Sequence, residues 1–109
     1  MADTFRVKSR KTYDGCVIAS YANVKAIVDD GQYYAFVWPN EGEIVNGVFV
    51  FNDRHHADGY EPLLVDRWTA STVVAAHAKV NPDTAARIEQ IVTRSRGHFA
   101  RLVDILFNE

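Results

Sequence analysis

The run Tyr33-Tyr34-Ala35-Phe36-Val37-Trp38 constrains this chain more than any other segment, because it is aromatic, β-branched or small throughout and stops at Pro39-Asn40. It reads as a strand with apolar side chains on both faces. Such a strand needs cover on at least one side, from the chain's own helices or from a partner, which a single open sheet does not provide. Two further strands follow: Val48 to Phe51, entered through the turn dipeptide Asn46-Gly47, and Leu63 to Val65, after the break from Gly59 to Pro62. Residues 33 to 66 therefore read as an antiparallel meander. Thr4 to Ser9 alternates Phe5 and Val7 with Arg6 and Lys8, which predicts another short strand near a sheet edge.

Between these segments the pattern is ambiguous. Val17, Tyr21, Val24 and Val28 are spaced as on one helix face, yet Ile27-Val28 runs into Asp29-Asp30-Gly31 and the next strand as a hairpin would. After Val65 the apolar period lengthens to about three and a half. Thr69 or Ser71 is placed to cap a short helix reaching Lys79, and Asn81-Pro82-Asp83 is a second helix start, with cap, first-turn proline and favourable acid. Ala85, Ile88, Val92, Ser95, Phe99, Leu102 and Leu106 form one stripe and predict a single long helix, with Gly97 off the stripe. The fold class that follows is α+β: an antiparallel β-meander of three to five strands covered by a long C-terminal α-helix and a shorter helix, with residues 1–109 as one domain. Its expected core is Phe36, Trp38, Phe49, Phe51, Leu64, Ile88, Val92, Phe99, Leu102 and Leu106.

Composition then excludes whole classes. With 109 residues, 48% of them apolar, the chain is sized for one ordinary core, and no apolar run approaches the roughly 20 residues of a membrane span. The opening residues are polar and basic rather than a secretion signal, and the lone Cys16 has no internal disulfide partner, so the expected setting is cytoplasmic, without membrane. The net charge of −2 hides a segregation. Arg6, Lys8, Arg10 and Lys11 make the start basic, nine acids face only Lys25 and Arg54 between residues 13 and 66, and the last third is again basic. An acidic middle steers toward basic partners and repels phosphate backbones.

Few groups suggest chemistry. Asp53, His55, His56 and Asp58 bring two imidazoles and two carboxylates within six residues, the donor types that first-row metals use. Adjacent histidines diverge on either a strand or a helix, so the plainer reading is a polar loop; His55, His56 and Asp58 remain the candidate metal set, with a metal-dependent enzyme as its consequence. His77 and His98 lie on separate predicted helices. Cys16 has the character of a small core residue, no nucleophile elbow occurs, and the six glycines never cluster into a phosphate loop. No catalytic residue and no cofactor follow from the sequence.

The segment from Thr72 to Val80, followed by helices over 82–92 and 97–106, resembles the ribbon-helix-helix repressors, which implies a dimeric DNA-binding regulator. The alanine-rich, nearly uncharged candidate ribbon lacks the base-reading side chains of that family, and the apolar stripe runs through the supposed turn. The reading the residues favour is a non-enzymatic module that binds a basic protein, with no direct nucleic-acid contact, through Asp29, Asp30, Tyr33, Glu41, Glu43, Asp53, Asp58 and Tyr60. A small anti-defence inhibitor of phage or mobile-element type, presenting carboxylates where phosphates would lie, is one form of it. The helical stripe has two uses, packing on the sheet or forming the seam of a homodimer.

Overall fold

The structure, a computed structural model, describes residues 3–31 and 33–108. Strands β1 (Phe5–Lys8) and β2 (Thr12–Ile18) form a hairpin, followed by helix α1 (Tyr21–Asp30) and strand β3 (Tyr34–Val37). A single 3-10 turn at Pro39–Glu41 leads into the hairpin of β4 (Gly42–Val45) and β5 (Val48–Phe51). Then come the short helix α2 (Asp53–Ala57), β6 (Leu63–Val65), and helices α3 (Arg67–Lys79), α4 (Pro82–Arg94) and α5 (Arg96–Phe107). The α+β class holds. The meander does not: the six strands run in the order β4-β5-β1-β2-β3-β6, with β1 parallel to β5 and β2 parallel to β3. The consecutive apolar runs are therefore not neighbours, and β1 lies inside the sheet rather than at its edge.

Local chemistry explains the elements. The ambiguous segment is split: Val17 belongs to β2, and Ser20 then caps α1 by accepting from the Asn23 N–H at 3.1 Å. Asn46 (φ 52°) and Gly47 (φ 78°) both take the left-handed region, the geometry of a tight two-residue hairpin turn, which places β4 against β5. At Gly42 a Cβ would lie 2.1 Å from the Val50 carbonyl oxygen, so only glycine permits that strand approach. Helix α3 starts earlier than expected, because Asp66 rather than Thr69 or Ser71 is its cap, accepting from the Thr69 N–H at 2.8 Å. Asn81 caps α4 as its sequence predicts.

The expected long helix is two. Ser95 is extended (φ −167°, ψ 164°), ends α4 and caps α5 by accepting from the His98 N–H at 3.2 Å. The stripe persists because both helices turn an apolar face to one core, where Ile88, Val92 and Phe99 are buried and Leu102 and Leu106 pack.

That core lies between α1, α3, α4 and α5 and the strands β2, β3 and β6, with Val17, Phe36, Trp38 and Val65 on the sheet side. A second cluster, Val7, Cys16, Ala35, Val37, Phe49 and Phe51, occupies the opposite face. No helix of the first layer reaches it. It is buried because the sheet coils: β3 and β4 stand four positions apart, about 19 Å in a flat sheet, yet are joined only by Trp38 and one 3-10 turn, which together span about 9 Å. The segment after β5 crosses the concave side, where Tyr60 packs on Phe51 at a ring distance of 6.2 Å. Leu64, expected in the core, is 60% exposed, because edge strand β6 turns its middle residue to the side the helices leave open.

Candidate protein-binding surface

The acidic and aromatic residues singled out by sequence do not form one patch. Asp29 and Asp30 end α1, and after Gly31 the chain presents Tyr33, which is 66% exposed. Tyr33 lines a cleft of about 690 Å³ with Thr4, Tyr13, Asp14, Gly15, Gly31, Tyr34, Ala35 and Leu64. Asp14 on its wall holds only a loose, exposed ion pair with Arg6 at 3.4 Å. Asp30 at the rim accepts a hydrogen bond from the Tyr34 hydroxyl at 2.9 Å. The cleft thus combines three tyrosines and a leucine with the Asp14 carboxylate, and Asp29 and Asp30 close α1 just before its Gly31.

The placement of Asp29 and Asp30 runs against local electrostatics. Both sit at the negative end of the α1 dipole, and no cation occupies that last turn. Each costs the helix a few tenths of a kcal/mol relative to a neutral residue. Departures of this kind from local consistency concentrate where a surface serves something other than folding.

Glu43 and Asp53 line a second, smaller cleft of about 350 Å³ beside β4 and β5. Asp58 is the exposed C-cap of α2, and Tyr60 is half-buried beneath the crossover, edge-on to His55 at 4.5 Å between ring centres. Glu41 is withdrawn from the surface altogether. It is 1% exposed, and its carboxylate is held by Arg96, whose Nε and Nη2 donate to it at 2.8 and 3.0 Å. Its sequence context is that of an exposed acid, because nothing in a lone Glu after Pro39-Asn40 announces a cation 55 residues away. Conversely, the cleft includes Tyr13, Asp14 and Leu64, which lie outside the binding set expected from sequence. The alternation of β2 was the available signal for Tyr13, and an edge position for β6 would have exposed Leu64.

The competing constellations do not assemble. Residues 53–57 form a helical turn in which the Asn52 side chain accepts from the His55 N–H at 3.0 Å, while exposed His56 points elsewhere on the helix. Among the described residues no group of three His, Cys, Asp or Glu side chains is arranged to hold a metal ion. His77 instead stacks on Tyr21 at 4.2 Å and meets Glu89 at 2.8 Å, tying α1, α3 and α4 together. His98 lies beside Ser95 at the start of α5. The candidate DNA-reading ribbon from Thr72 onward is the body of α3, so the ribbon of a ribbon-helix-helix repressor is not formed, and Arg96 is engaged by Glu41. Cys16 is buried, and desolvation, reinforced by Asp14, pushes its thiol up to about 11, which suits packing rather than nucleophilic chemistry. No helix among the described residues is long and apolar enough to cross a membrane. Compared with protein-family models, curated proteins and solved structures, the chain matches none of them.

Proposed function

We propose that this protein is a non-enzymatic binding module that engages a basic protein through the cleft between α1, β2, β3 and β6. The observation that carries the reading is the pairing of Asp29 and Asp30, at the disfavoured end of α1, with the exposed ring of Tyr33 on a tyrosine-walled cleft. Aromatic faces beside carboxylates suit lysine and arginine side chains, through stacking, cation–π attraction and charge-assisted hydrogen bonds. The recognition set is therefore Asp14, Asp29, Asp30, Tyr13, Tyr33 and Leu64. Glu43, Asp53, Asp58 and Tyr60 lie outside it, and Glu41 is structural.

A small inhibitor of a nucleic-acid-binding protein is the biological form that fits this chemistry, since carboxylates on a compact domain compete with phosphates for a basic groove. The test is capture from nuclease-treated host lysate with the wild-type chain and with the Asp29→Asn/Asp30→Asn/Tyr33→Ala variant. Recovery of one basic protein by the wild type, and its loss with the variant, is the expected result. Equal recovery by both chains would refute the assignment of the cleft.

A further inference from the structure

The helix layer covers only half of its face of the sheet. On β1, β5 and β4 the same face is bare, and strand register orders its side chains into two rows. Lys8, Val50 and Glu43 stand level with one another in one row, and Arg6, Val48 and Val45 in the other. Val50 is 36% and Val45 45% exposed. Within one copy neither the Lys8 nor the Glu43 side chain has a hydrogen-bond or ion-pair partner among the described residues. The face therefore runs from cations on β1, over valines on β5, to an acid on β4.

That arrangement is self-complementary. We propose that this half-face is the dimer interface of a second copy of the same chain, stacked sheet on sheet about a two-fold axis parallel to β5. Such an axis exchanges left and right while keeping the level along the strands. It sets Lys8 of each copy opposite Glu43 of the other, and the β5 valines opposite their own counterparts. Packed sheets lie about 10 Å apart, a gap that extended lysine and glutamate side chains bridge from opposite sides. An acidic partner would satisfy Lys8 but strand Glu43, and a basic partner the reverse; a second copy satisfies both. The interface is separate from the Tyr33 cleft and does not depend on the binding reading above.

Sedimentation equilibrium on the whole chain tests it, over a range of concentration and salt. The expected mass rises from 12.3 kDa toward twice that value, and the dimer weakens as salt screens the Lys8–Glu43 pairs. Lys8→Glu and Glu43→Lys each place like charges opposite one another twice and weaken the dimer by about tenfold or more. Mixed in equal amounts, the two variants regain it as a heterodimer, because each then meets an opposite charge at both contacts. Thermal melting of each variant alone confirms that these exposed substitutions leave the fold intact. A monomer at all concentrations, or a dimer indifferent to both substitutions, would overturn the proposal.

Discussion

Arg96 and Glu41 are 55 residues apart in sequence and form a bidentate ion pair inside the protein. The guanidinium also donates from Nη1 to the Glu61 carbonyl at 2.7 Å and lies over the rings of Trp38 and Tyr60 at 5.4 and 5.0 Å. Trp38 in turn donates its indole N–H to the Val92 carbonyl, near the end of α4, at 2.9 Å. One arginine at the first position of α5 therefore fastens the 3-10 turn, the crossover and the helix layer to each other. The break at Ser95 is what places it there.

Removing one partner leaves a buried charge uncompensated. Arg96→Ala should cost about 3 kcal/mol in urea denaturation, and Arg96→Lys should recover little of it because an ammonium cannot bridge both oxygens. A double-mutant cycle with Glu41→Gln should show coupling of about 1 kcal/mol or more. A loss below about 1 kcal/mol for Arg96→Ala would mean that the network does not hold these segments together.

Asp29 is predicted to cost stability for the sake of the surface. Asp29→Asn should raise stability by a few tenths of a kcal/mol at low ionic strength, with the gain fading in high salt as the helix dipole is screened. A destabilised variant would show that Asp29 serves the fold.

Cys16 should behave as a core side chain. With its thiol buried and pushed up to about 11, it stays protonated at neutral pH. The native protein should react with a thiol reagent at pH 8 only as fast as it unfolds, and the urea-unfolded chain at once. Rapid labelling of the native form would contradict its burial.

Hydrogen bonds from the Thr69 backbone N–H and hydroxyl hold the Asp66 carboxyl below the usual carboxylate range. A lowered folded value means that the cap's contribution is complete above the unfolded carboxyl's titration near pH 4 and disappears as pH falls through the lower folded value. Asp66→Ala should cost about 1 kcal/mol at pH 7, and the gap from wild type should close as the medium is acidified below about pH 4. A gap that widened in acid would reverse the assignment.

Sequence carried the parts of the fold that depend on neighbours along the chain. The strands at 34–37, 48–51 and 63–65, the Asn46-Gly47 turn and the Asn81 cap of α4 were legible because residues within a few positions determine them. Strand order was not, since β5 pairs with β4 on one side and in parallel with the distant β1 on the other, and nothing in either four-residue strand encodes that choice. The break at Ser95 was hidden because two helices packing on one core preserve the three-four spacing of a single one. At the site, Asp29, Asp30 and Tyr33 were legible as acidic and aromatic groups, while the segment before them was open between helix and hairpin. Glu41 was misplaced because its partner comes from the far end of the chain.

The proposed capture of basic side chains by the Tyr33 cleft can be read residue by residue. It is tested most directly by titrating the isotopically labelled protein with an arginine- and lysine-rich peptide at low and moderate salt and following its backbone amide resonances. The expected shifts concentrate at Tyr13, Gly15, Gly31, Tyr33 and Leu64, weaken with salt and vanish in Asp29→Asn/Asp30→Asn/Tyr33→Ala. Shifts centred on Glu43 and Asp53 instead, or a response unchanged in that variant, would contradict it.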